Sequence, residues 1–128
     1  MHTTNMTEEK RRNPRFACLD KNRFQVASAG EEQPGYLLNF SRDGLAFETH
    51  QTPPEKSEYA FTISGRGLSS PIAGSARIAW VSAGDMQKRW MCGARITQMQ
   101  TADKIDLIEI LYQDWKSTIE NNNNQERS

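Results

Sequence analysis

Histidine and cysteine are scarce: the 128 residues hold His2 and His50, Cys18 and Cys92, and no others of either kind. His2 lies in a polar terminus and His50 just ahead of Pro53-Pro54, so neither has a neighbour that would make it a general base or a metal ligand. No phosphate loop of the Walker type and no metal-ligand spacing occurs. Ser41 falls between two strand-like runs, not in the strand-to-helix turn of a Gly-x-Ser-x-Gly hydrolase. The carboxylates are scattered or helical and read as solvated faces. The chain is therefore expected not to be an enzyme and to need neither metal nor cofactor. Met1 to Glu9 has no apolar run of the kind a secretory leader carries, and no stretch reaches the length of a membrane span. Without a Cys-x-x-Cys pair, the cysteines read as reduced core residues of a cytoplasmic protein, and no membrane partner is expected. Net charge is also lacking, with 16 Lys/Arg against 16 Asp/Glu, which argues against a nucleic acid polymer as partner.

The zero total hides an asymmetry. Lys10, Arg11, Arg12 and Arg15 place four cations in six residues, where the acidic leader meets the first apolar run. Pro14 fixes its own φ and disfavours α at Asn13, so 10–16 reads as an extended arm rather than a helix. Four acids and one Lys occupy Asp103 to Asp114 at the other end.

Between these poles the pattern is β. Phe16–Leu19, Phe24–Ala27, Tyr36–Phe40, Leu45–Glu48, Glu58–Ser64, Ala76–Trp80 and Trp90–Ile96 are short runs separated by turn residues. Several alternate with period two: Tyr59, Phe61 and Ile63; Ala76, Ile78 and Trp80; Trp90, Cys92, Ala94 and Ile96. Asp43-Gly44 marks a tight turn joining two of them into a hairpin, with Gly44 suited to positive φ. About six strands of this kind predict a small antiparallel barrel or sandwich. From Thr101, taken as an N-cap, the period changes. Ile105, Ile108, Tyr112, Trp115 and Ile119 step by three and four, a stripe expected to dock on the barrel, widened by Leu107 and Leu111. The expected organisation is a leader over 1–9, a barrel domain over 10–99 that includes the arm, a helix over 100–120, and a disordered tail over 121–128.

Arm and hairpin together carry the chemistry. Arg11-x-x-x-Arg15, then 23 intervening residues, then Asn39-x-Ser41-x-x-Gly44, resembles the signature of the PilZ domain family. Gly74-x-Ala76-Arg77-Ile78-Ala79-Trp80-Val81 and Gly93-Ala94-Arg95-Ile96 look like that family's two closing strands. The resemblance implies a six-stranded antiparallel β-barrel with a C-terminal α-helix that binds cyclic di-GMP. By position it implies ligand contacts from Arg11, Arg15, Asn39, Ser41 and Gly44, with Lys10 and Arg12 beside them. In proteins resembling this one, a basic residue at the position of Lys10 tends to accompany two stacked ligand molecules. The residue chemistry agrees: a guanidinium grips phosphate, stacks on a base, or donates twice to guanine O6 and N7. Asn39 and Ser41, two apart, share one face of a strand.

Bland readings exist for each part. A basic cluster can simply solvate a terminus, Ser41 and Asp43 can serve only their own turn, and Trp80 and Trp90 can be core residues. The expectation is a non-catalytic cyclic di-GMP receptor, monomeric or weakly dimeric, whose arm is ordered by ligand and whose changed surface regulates a protein effector. The alternatives are an interaction module of the same fold that binds no nucleotide, and a barrel that binds single-stranded nucleic acid. The latter wants aromatics exposed on one sheet face.

Overall fold

The structure is a computed structural model that describes all residues except 1–13, 21, 29–33, 52, 85–88 and 128. Lys10, Arg11 and Arg12 therefore lie outside the described residues. Seven strands, β1 (Phe16–Ala17), β2 (Phe24–Ala27), β3 (Gly35–Phe40), β4 (Gly44–Thr49), β5 (Glu58–Gly65), β6 (Ile72–Ala83) and β7 (Trp90–Met99), precede one helix, α1 (Thr101–Arg127).

All pairings are antiparallel, and their order closes on itself: β3–β2–β5–β6–β7–β4 and back to β3. Six strands thus form a barrel without free edges, the arrangement that removes an exposed template for aggregation. β1 is an extra strand. It pairs with the far half of β3 (Phe16↔Phe40, Ala17↔Asn39), on the edge that β2 has already left after Gln25↔Tyr36. The core follows from the alternation. Phe24, Val26, Leu37, Phe40, Phe47, Phe61, Ile63, Ile78 and Cys92 are all buried inside the barrel.

Period two breaks at three bulges, one of them opposite Ser75 and Ala76, and the other two matter for the site. Leu37 pairs with Phe47 but Asn39 with Ala46, so Leu38 is the extra residue that lets both Leu37 and Phe40 point inward. Ile78 pairs with Ala94 but Trp80 with Gly93, so Ala79 is extra in β6. Trp80, expected to follow Ala76 and Ile78 into the core, is turned to the outer face and is 39% exposed.

The helix also departs from expectation. Lys104 N–H donates to Gln100 O (3.1 Å), so Gln100 takes the capping position and Thr101 is the first helical residue. The buried positions are Leu107 and Leu111, which join the core cluster, while Ile105, Tyr112, Trp115 and Ile119 are exposed. The helix runs to Arg127 and not to 120, because 121–127 contain neither Gly nor Pro to stop it. It lies over the end of the barrel where the β3–β4 turn and the β5–β6 loop emerge. An ion pair from Arg23 to Asp114 (3.5 Å) and an edge-on contact of Phe16 with Tyr112 help to hold it there. Among the described residues, no helix is long and apolar enough to cross a membrane.

Candidate functional site

The β3–β4 turn is tied down from several sides. Ser41 N–H donates to Gly44 O (2.8 Å), and Gly44 N–H donates to Ser41 Oγ (3.1 Å). The Ser41 hydroxyl has Asp43 Oδ1 at 2.9 Å and Gly44 O at 3.2 Å as acceptors. Ile96 N–H donates to Asp43 O (2.9 Å), which locks the turn to β7. Ser41 is buried to 1% exposure, so its polar capacity is largely spent on shaping the turn. Gly44 does not have positive φ, contrary to expectation; among described glycines only Gly67 does. Its smallness suits a tight spot instead. A Cβ there would sit 3.1 Å from Ala94 O, with Arg15 Nη2 and Ser41 Oγ each 3.9 Å away.

That geometry places the Arg15 guanidinium beside Gly44 on the outside of the barrel. Arg15 is exposed and directly precedes β1, whose Phe16 pairs with Phe40, so the strand delivers its arginine to the turn. Arg11 and Arg12, like Lys10, lie outside the described residues, and the structure places only the second motif arginine.

Asn39 stands on the same outer face, two residues before Ser41. Its Oδ1 is buried and has no hydrogen-bond partner among the described residues. An acceptor left in that state costs on the order of 1–3 kcal/mol, and such a group in a folded protein calls for an explanation. Ser41 and Asn39 thus differ in kind: one hydroxyl builds the site and one amide is held within it.

Following the ladder sideways from these residues reveals two parallel rows on the outer face. The first runs from Ser41 to Gly44, to Arg95 on β7 and Arg77 on β6. The second runs from Ala17 through Asn39, Ala46 and Gly93 to Trp80. The floor is made of small residues, with arginines along one side and an indole at the end. Trp80 lies across Gly93, where a Cβ would come within 2.1 Å of its Nε1. Arg77 and Arg95 face each other across the strands, and like charges so placed repel. Neither is ion-paired to a described residue. Glu58, the other neighbour of Arg77, accepts a hydrogen bond from Thr97 instead. An anion on this face would relieve that repulsion.

Sequence reasoning did not single out Arg95, Arg77 or Trp80 as site residues. Gly93-Ala94-Arg95 carried a usable signal, since Gly44↔Arg95 pairing follows once β4 is laid against β7. Trp80 carried none, because an unseen bulge decides its face. No group of His, Cys, Asp and Glu among the described residues is arranged to hold a metal. Cys18, on the edge of the core, has a perturbed thiol. Burial, then the carboxylates of Asp20 and Asp114, push its thiol above the usual range, so it is a poor nucleophile.

Comparisons with known proteins bear on this site. No curated protein matches the chain. The Bacillus subtilis inhibitor of motility MotI/DgrA superposes with a TM-score of 0.65 at 12% identity. MrkH of K. pneumonia, solved as its c-di-GMP complex, does so with a TM-score of 0.64 at 16% identity. Each likeness covers 84% of this chain and 52% of the other, so the chain spans about half the length of these structures and shares their fold. The family model described as PilZ domain matches residues 9–113, and with a closed six-stranded barrel that presents the motif hairpin on its outer face, the chain belongs to the PilZ domain family.

Proposed function

We propose that the protein is a non-catalytic receptor for cyclic di-GMP that acts in the cytoplasm. The observation that carries this reading is the gathering of Arg15, Arg95 and the unpartnered Asn39 Oδ1 on one outer face with a small-residue floor. Two phosphates and two guanines need anion grips, hydrogen-bond partners at base edges and surfaces for stacking. Arginines serve the first two needs, Asn39 the second and Trp80 the third. The solved complex of MrkH with c-di-GMP lends the family precedent.

Arg11 and Arg15 each take a phosphate or a guanine edge in this reading, with Lys10 and Arg12 adding positive potential. Ser41 and Gly44 hold the floor open, and Lys10 favours a stacked pair of ligands. Binding orders the arm, and the arm reaches the helix through Phe16, which meets Tyr112 with ring centroids 6.4 Å apart. A protein effector reads the changed surface. The exposed Trp80 is a single aromatic and not the row of platforms that a single-stranded nucleic acid binder needs, so a polymer partner is disfavoured.

Titration calorimetry with cyclic di-GMP tests the reading. Heat of binding and a stabilisation of about 2.7 kcal/mol at a hundredfold excess over Kd are expected. Absence of both at near-millimolar ligand overturns it. Guanine should also be preferred, because adenine replaces the O6 acceptor with an amino donor that opposes an arginine. Cyclic di-AMP should compete more weakly, by about 1–3 kcal/mol for each base read. Equal competition would mean that the arginines grip phosphate alone.

A further inference from the structure

The exposed stripe of α1 has a period of its own. Ile105, Ile108, Tyr112, Trp115 and Ile119 follow the 3-4-3-4 spacing of the a and d positions of a heptad. At about 100° per residue, this stripe lies roughly a quarter turn from Leu107 and Leu111, the residues that seat the helix on the barrel. Docking leaves most of it uncovered: Ile105 is 53% exposed and Trp115 48%, while Ile108 is half-buried against the core and Tyr112 touches Phe16 with one edge. Largely apolar clefts of about 530 Å³ and about 380 Å³ flank Tyr112, one walled by 14–17 with Leu111 and Trp115, the other by Phe16, Arg42, Ile105, Ile108 and Glu109.

The flanking charges say which partner. Lys104, Leu111 and Thr118 occupy the g positions, on the flank that carries Leu111 against the barrel, and Glu109 and Lys116, both exposed, the e positions. In a parallel pair, g of one helix meets e of the other one heptad further on, which sets Lys104 against Glu109 of the second copy, twice by symmetry. In an antiparallel pair g meets g, and both barrels would have to share one side of two helices that are about 10 Å apart. The parallel arrangement places the barrels on opposite sides. We propose that this face of α1 pairs in parallel with a second copy of the chain, Ile105, Ile108, Tyr112, Trp115 and Ile119 forming the seam. The proposal does not depend on nucleotide binding.

Sedimentation equilibrium of the full chain, without nucleotide, decides it. A reversible monomer–dimer equilibrium is expected below about 0.5 mM. Trp115→Glu should weaken it tenfold or more, since it puts a charge at the centre of the seam, while the circular dichroism melt stays unchanged. Lys104→Glu should weaken it several-fold, and adding Glu109→Lys should restore it. In an antiparallel pair the Glu109→Lys change would instead set a like charge near Lys116 of the second copy and weaken association further. A monomer throughout the range, association untouched by Trp115→Glu, or a double exchange weaker than the single one would each overturn the proposal.

Discussion

The two ends of β4 use arginine in opposite ways. At the Thr49 end, Arg89 is ion-paired to the buried Glu48, and its guanidinium lies over the Tyr36 ring at 5.6 Å. At the Gly44 end, Arg15, Arg95 and Arg77 gather on the outer face without an ion pair to a described carboxylate, near an asparagine whose oxygen is buried and unpartnered. The fold thus has a ready way of satisfying an arginine, which it applies at Arg89 and again at Arg23 with Asp114. The three others are exposed to solvent on one face, where Arg77 and Arg95 stand opposite each other and repel. This is the arrangement that the proposed anion-binding role asks for.

Removing partners at each end sharpens the contrast, and the largest effect belongs to the paired end. Arg89→Ala removes a charged partner from the buried Glu48 carboxylate, and thermal or urea unfolding should show a loss of about 3 kcal/mol. Calorimetry on the folded variant should show cyclic di-GMP affinity close to that of the parent. Arg15→Ala should do the reverse, weakening binding by about 2 kcal/mol, the scale of a charge-assisted hydrogen bond, with an unchanged melt. If the melt falls together with affinity, Arg15 is structural and the contrast between the two ends collapses.

Arg95→Ala should weaken binding by about 1 kcal/mol and leave stability unchanged or raised, because it also removes the repulsion with Arg77. Loss of stability without loss of affinity would take Arg95 out of the site. The smallest effect concerns Asn39→Leu. It removes the unpartnered oxygen while keeping the branching and the number of heavy atoms, so denaturant unfolding should show stability equal to or above the parent by up to about 1 kcal/mol. Binding should weaken at the same time. A destabilised variant would mean that Asn39 already has its partner.

Much of the architecture was legible in the sequence because each strand repeats every two residues and the turns carry their own residue types. The motif hairpin could be placed for the same reason, and the chain order of its two halves gave the family. What could not be read depended on a single residue more or less. Ala79 is an ordinary strand residue in the sequence, yet as the extra residue of a bulge it moves Trp80 from core to surface. Gly44 looked like a residue chosen for its φ, when the crowding that it suits comes from Ala94, fifty positions along the chain. In α1 two apolar stripes lie side by side, and periodicity alone does not say which one the barrel takes. Leu107 and Leu111 win because they face the end of the barrel, where the core cluster continues into them.

The closure of the barrel has a consequence for kinetics. The hairpin and near-neighbour pairings build two sub-sheets, β1 to β4 and β5 to β7, that join only along β2–β5 and β4–β7. These two seams link residues far apart in sequence, such as Phe47 with Cys92, and contacts of that kind are slow to form. Gly44 and Ala46 lie on one side of the β4–β7 seam and Arg95 and Gly93 on the other, so a molecule held on this face spans the joint between the halves. Such a molecule would act as a clasp on a ring. Its expected signature is slower opening at an almost unaltered closing rate, since the clasp can engage only after the ring has shut.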